Sequence, residues 1–176
     1  MYYYHLSKEH LQAAVGNEHS EIVPILTNLV VLHSMAKQTD SVFYYLDVAE
    51  QLQNKITQRP SRRMGLILTQ RGVELYDVGR IEESYEATKK AIEIYRVAVG
   101  ERHSELAFAY RNLTEILLTQ NRLKEALISV QQATISNSRQ LTDTTFFGSP
   151  EPDDWLNFLG QAKAQTLKAK VLWALA

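Results

Sequence analysis

Cysteine is absent from the 176 residues, which removes disulfides, thiolate zinc sites, iron–sulfur clusters and a cysteine nucleophile, and leaves the redox compartment open. An excess of charge of one sign is missing too: nineteen Lys and Arg stand against twenty Asp and Glu, a formal net charge of −1. With no positive field to collect phosphates or an anionic lipid surface, this balance argues against nucleic-acid and membrane partners. Glycine and proline are few, seven and four residues. Gly72 and Gly79 lie seven apart on helical positions, so no phosphate-cradling loop is present. Long hydrophobic runs are lacking as well. The most apolar stretch, Ile22 to Leu32, is interrupted by Pro24, Thr27 and Asn28, and is far short of the roughly 20 residues a spanning helix needs. The start, Met1-Tyr-Tyr-Tyr-His-Leu, has no basic segment leading into an apolar one. No secretory signal is read, and a cytoplasmic location is the expectation.

What is present is core-forming material, 45% hydrophobic and 22% charged residues, enough for one ordinary domain or about four or five copies of a small repeat. Self-comparison decides between these. Ala14-Val-Gly-Asn-Glu-His-Ser-Glu21, followed by Asn28-Leu29, returns as Ala98-Val-Gly-Glu-Arg-His-Ser-Glu105, followed by Asn112-Leu113, at an offset of 84. Half that shift, 42, lays Gly79-Arg80-Ile81-Glu82-Glu83-Ser84 on Asn121-Arg122-Leu123-Lys124-Glu125-Ala126. The period is therefore 42, in three registers.

Within each period apolar residues recur at helical spacing, as in Leu106, Tyr110, Leu113, Leu117 and Leu118. Period-2 alternation is absent. Ser20-Glu21, Ser61 and Ser104-Glu105 offer hydroxyl caps at helix starts, and Gly16, Gly79 and Gly100 are the matching stops. The pattern predicts an all-α stack of helix pairs, none of which buries its apolar stripe alone. These residues resemble the tetratricopeptide repeats, specifically the 42-residue kind found in kinesin light chain. The middle copy supplies Gly72, Leu75, Gly79, Ile81, Ser84, Thr88 and Ala91 at the family's small, large, turn and Ala positions. The third supplies Thr114, Leu117, Asn121, Leu123, Ala126, Val130 and Ala133. The first departs most, with Val30, His33, Lys37, Thr39, Val42, Leu46 and Ala49. There His33 and Lys37 replace the large apolar residue and the turn residue. The resemblance implies a right-handed α-solenoid.

The expected organisation is one repeat domain over 1–176. A trailing helix of an incomplete repeat occupies 1–15, and repeats occupy 16–57, 58–99 and 100–141. An extended linker at 142–152 then precedes a leading helix at 153–176, for which Asp153-Asp154 is the simplest cap. Both ends lack a packing partner, and Leu172-Trp173-Ala174-Leu175-Ala176 leaves apolar surface open. The reading is a piece of a longer protein, or a chain that covers its ends by self-association. The linker, with Lys168-Ala169 and Leu172 after it, also resembles the last repeats of arrays that precede CHAT domains, caspase-like proteases of bacterial proteins.

Catalytic, metal and cofactor sites are not expected. His19 and His103 share one repeat position, three residues after a glycine, where a ring caps or packs in the turn. His5 and His10, five apart, share no helix face as a ligand pair would. His103-Ser104-Glu105 has the letters of a hydrolytic triad, but side chains adjacent at a helix start cannot align as one. Arg59, Arg62 and Arg63 read as a solvated helix start, with an acidic partner segment as the sharper alternative. Tyr2-Tyr3-Tyr4 and Phe43-Tyr44-Tyr45 read as packing.

The resemblance implies a concave groove lined by the first helix of each pair. Its ligand positions fall on Thr27, Asn28, Val31, Ser34 and Met35 in the first copy. In the second they are Thr69, Gln70, Val73, Tyr76 and Asp77, and in the third Phe108, Arg111, Asn112, Glu115, Leu118 and Thr119. Pro24 and Leu66 are set aside as structural. This surface is mixed, mildly apolar and almost neutral, which suits a peptide: Asn28, Gln70 and Asn112 form a ladder of amides for its backbone, or else bridge adjacent helices. A clamp for a chaperone's C-terminal carboxylate is not reproduced. The function expected is a non-enzymatic protein-interaction module with a peptide or protein partner. The alternatives are the regulatory segment of a larger enzyme such as a CHAT-type protease, or a self-assembling scaffold joined through its terminal helices.

Overall fold

The computed structural model describes residues 19–139, 141 and 156–175, together with residues 6, 9, 13 and 16, and describes 158 and 159 by backbone alone. The expected helix at 1–15, apart from those isolated residues, and the linker at 142–152 lie outside the described residues. Seven helices are described: α1 (Ile22–Met35), α2 (Thr39–Ile56), α3 (Arg62–Asp77), α4 (Ile81–Val99), α5 (Ser104–Thr119), α6 (Leu123–Ser136) and α7 (Phe158–Leu175). Consecutive helices pack antiparallel as α1/α2, α3/α4 and α5/α6, and α7 closes on α6. The first helices also touch in series, α1 to α3, α3 to α5 and α5 to α7. They form the inner layer of a solenoid, with the second helices spread along the outside.

Three turns explain why the pairs are so similar. Each first helix ends with two returning amides, from Lys37 and Gln38 to Ser34 and His33 carbonyls, from Gly79 and Arg80 to Tyr76 and Leu75, and from Asn121 and Arg122 to Leu118 and Leu117. The middle residue of each turn is left-handed, with φ of 56° at Lys37, 78° at Gly79 and 57° at Asn121. Only Gly79 adopts that region without a Cβ penalty. Lys37 is therefore strained, yet its turn is built like the others. His33, the other departure of the first copy, is buried, bonds Gln38 Oε1 through Nδ1 at 2.6 Å and stacks on Tyr45 at 5.1 Å.

The helix pairs close because small residues face large ones. Ser84, Thr88 and Ala91 of α4 are fully buried against α3, and Ser84 Oγ donates to the Gly72 carbonyl at 2.6 Å. Gly65 lies under the Tyr95 ring, where a Cβ would stand 2.6 Å from Cε1. Ala126, Val130 and Ala133 repeat the arrangement on α6, and Val42, Leu46 and Ala49 on α2. Burying Leu26, Leu29, Leu46 and Ile67 completely contributes roughly 1.5–3 kcal/mol each.

The caps differ in part from expectation. Ser61 Oγ accepts from the Met64 amide at 3.2 Å, as its hydroxyl suggests. At α5, however, the cap is His103, whose Nδ1 accepts from the Glu105 amide at 3.2 Å, and Ser104 is already helical. His19 does the same for the Glu21 amide at 3.3 Å, and Glu21 makes no side-chain cap. At α5 the imidazole thus stands at the N-cap itself, the position Ser61 holds at α3, and its ring nitrogen takes an orphan amide in place of a hydroxyl. Asp153 and Asp154 lie outside the described residues; Asn157 caps α7, its Oδ1 accepting from the Gly160 amide at 2.8 Å. Among the described residues no helix is long and apolar enough to cross a membrane, and no group of three metal-ligating side chains occurs.

Candidate functional site

Among the described residues the inner layer carries two clefts, with a small pocket beside the second, rather than one smooth groove. The first cleft, about 350 Å³, lies across the starts of α1, α3 and α5 and is lined by Val23, Pro24, Thr27, Asn28, Arg62, Arg63, Leu66 and Glu105. Its rim is held by ion pairs between successive repeats. Arg62 donates twice to the Glu105 carboxylate at 2.8 Å, and Arg63 to Glu21 at 3.1 Å. Two of the three arginines of the basic cluster are thus engaged within the chain, each about one repeat away from its partner. Pro24 and Leu66, set aside on sequence, both line this cleft, and Leu66 is 40% exposed.

The second cleft is larger, about 520 Å³, between α3, α5 and α7. Val73, Phe108, Arg111, Asn112 and Glu115 line it from the predicted set, and Ala162, Lys163, Thr166, Leu167 and Lys170 line it from α7. Behind it a pocket of about 90 Å³ brings Val73, Tyr76, Asp77, Asn112 and Glu115 together with Gly72, Ser84 and Ile116. Asn112 belongs to both spaces. Among the described residues its Nδ2 is buried with no hydrogen-bond acceptor.

The other predicted residues separate by what holds them. Tyr76 Oη and Thr119 Oγ1 are 2.9 Å apart, and the Thr119 hydroxyl also reaches the Glu115 carbonyl at 3.1 Å. A hydroxyl has one proton to give, so Tyr76 donates and Thr119 passes its own proton to the backbone. Gln70 Nε2 donates to Glu74 Oε1 at 2.7 Å within α3, and Thr27 Oγ1 to the Pro24 carbonyl at 2.9 Å. Val31 and Met35 are exposed and Ser34 is half-buried, outside both clefts. Two positions turn inward. Thr69 is 1% exposed and gives its hydroxyl to the Gly65 carbonyl, and Leu118 packs on the core cluster of α5, α6 and α7. Thr69 is closed to a ligand, because the helix pair covers that side of the first helix, whereas Leu118 is partly buried.

The amides therefore do not make a continuous ladder. Gln70 is committed to its own helix, while Asn28 and Asn112 face the two clefts. The near-neutral character expected also changes at the second cleft, where α7 adds Lys163 and Lys170 to Arg111 against the carboxylate of Glu115. Sequence reasoning missed these because the last connection is out of period. The leading helix expected at 153–176 is the signal that points to them, once the groove positions of a first helix are carried onto it as well.

Residues 63–134 match the family model described as the tetratricopeptide repeat. That segment consists of tetratricopeptide repeats, a unit generally used for protein interaction. No curated protein matches the sequence. Among solved structures the chain is similar to BtubC (BKLC) from P. vanneervenii, with a TM-score of 0.62 at 14% identity over 88% of this chain and 64% of that one. The likeness speaks for the fold, an all-α array of sequential antiparallel pairs. The chain spans less than two thirds of that protein's length.

Proposed function

We propose that this chain is a non-catalytic interaction module that holds an extended or helical segment of a partner protein against its layer of first helices. The supporting observation is Asn112, whose buried Nδ2 has no acceptor among the described residues at the wall shared by the second cleft and its rear pocket. A buried donor left without a partner costs about 1–3 kcal/mol, which an arriving backbone carbonyl recovers. Beside it Phe108, 40% exposed, and Val73 offer apolar surface to a side chain.

The test compares the wild-type chain with an Asn112→Ala, Tyr76→Ala double variant. Proteins captured from source lysate are identified by mass spectrometry and then titrated directly. Each substitution is expected to weaken the partner by about 1–2 kcal/mol. Equal capture and equal affinity, with unchanged circular dichroism, would move the site away from the groove.

A second reading draws on α7, where Trp173 is 84% and Leu175 40% exposed. Apolar surface of that kind suits a further helix, in a larger regulated enzyme or in a second copy of this chain. A constant monomer mass by light scattering across concentration disposes of self-assembly. A stop codon directly after Ala176 disposes of the larger enzyme.

A further inference from the structure

We propose that the cleft between α3, α5 and α7 takes the acidic side chains of the partner segment, with Arg111 holding the first carboxylate. This inference rests on the groove reading above and gives it a ligand chemistry.

Arg111 is the unusual residue of the cleft. It is half-buried, and burial lowers its pKa from the ordinary guanidinium value while leaving it charged. Among the described residues its guanidinium has no hydrogen-bond acceptor and no ion pair; its contact is the face of Phe108, 5.2 Å from the ring centroid. That ring orients the planar fork without satisfying any of its five donors. On the other side the guanidinium abuts the first turn of α7, with Nη1 3.1 Å from where a Cβ on Gly160 would stand. A helix start carries partial positive charge, so this is an unfavourable place for a cation that the Glu115 carboxylate steadies only from beyond ion-pair distance. Lys163 and Lys170 line the same cleft from α7, are exposed, and form no ion pair among the described residues. Glu115 is the one carboxylate among the lining residues, and Asn112 adds a further unused donor. The wall thus presents donors and positive charge with little to accept them, and an anion is the complement.

Spacing selects the kind of anion. Lys163 and Lys170 are two helical turns apart, roughly 10 Å, which an extended peptide covers in about three residues. A single terminal carboxylate meets one of the three cations, whereas Asp or Glu side chains two or four residues apart, which share one face of an extended segment, meet two or more. Phe108 and Val73 between them suit an apolar residue in the intervening stretch.

The experiment is selection from a library of random dodecapeptides, displayed with either a free or a blocked C-terminus, on the immobilised full chain. The same library is run on Arg111→Gln, on Lys163→Gln with Lys170→Gln, and on the Asn112→Ala, Tyr76→Ala double variant, each checked for folding by circular dichroism. The expected result is enrichment of Asp and Glu at two- or four-residue spacing with either terminus. A selected peptide should lose about ten-fold in affinity with Arg111→Gln, and its binding to wild type should weaken as salt rises. No acidic bias, a bias that survives Arg111→Gln, or selection that needs only a free C-terminal carboxylate would overturn the proposal. Peptides selected without acidic bias but lost in the Asn112, Tyr76 variant would leave the groove standing and remove the acidic ligand. Selection of nothing would remove both.

Discussion

Adding one methyl group at Gly65 tests how closely α3 and α4 are packed. A Cβ there would lie 2.6, 2.7 and 2.9 Å from three ring carbons of Tyr95, whereas carbon pairs settle at about 3.5–4.0 Å. The ring would have to retreat by about 1 Å. It has nowhere to go, since Tyr95 is 1% exposed and packed with Ile92, Leu106 and Ala109. Overpacking of this kind costs about 2–3 kcal/mol, or roughly 5–10 °C in melting temperature for a chain of this size. Tyr95→Leu alone opens a cavity and costs about 2–3 kcal/mol. In the double variant the new methyl group occupies part of the vacated space, so the combined loss should fall short of the sum by at least about 1 kcal/mol. Urea denaturation followed by circular dichroism measures all four corners of the cycle at constant m value. Additive losses, or a Gly65→Ala variant as stable as wild type, would refute the packing argument.

Further outcomes follow from the turns, caps and clamps. Lys37→Gly should stabilise the chain by about 0.5–1 kcal/mol, because it removes the Cβ strain of a left-handed residue and outweighs the added freedom of the unfolded chain; a lower melting temperature would contradict this. Ser61→Ala should cost about 1 kcal/mol in chemical denaturation through loss of the α3 cap. Arg102 gives its guanidinium to the carbonyls of Ser138 and Leu141 at 2.9 Å and of Ile135 at 3.5 Å, so Arg102→Met should speed amide hydrogen exchange around 135–141 and leave α1 and α2 unchanged. Arg62→Gln removes an ion pair in which the arginine is 66% exposed, and should change stability by less than about 1 kcal/mol, with the effect fading at high salt.

The amino-acid sequence alone determined the helices, their pairing and their turns, because these depend on local chemistry repeated every 42 residues. Gly79 and Asn121 reverse the chain wherever they stand, and Ser84, Ala126 and Ala133 read as close-approach positions before any partner is known. Even Lys37 gives the same turn, since flanking hydrogen bonds outweigh its strain. Tertiary packing decided which side of each first helix stays open. Thr69 and Leu118 stand at the same kind of repeat position as ligand-facing residues elsewhere, yet Thr69 is buried and hydrogen-bonded to Tyr95, and Leu118 packs partly buried on the core cluster that includes α7. Leu66 went the other way and remained exposed. Arg111 is the clearest case. Its charge is legible in the sequence, but its burial against Phe108 and Gly160 depends on where α7 docks, and α7 follows a connection that breaks the period. A repeat fixes each copy's own fold through neighbouring residues; the depth and charge of a cleft belong to side chains far apart in the chain, and arise only when the copies stack.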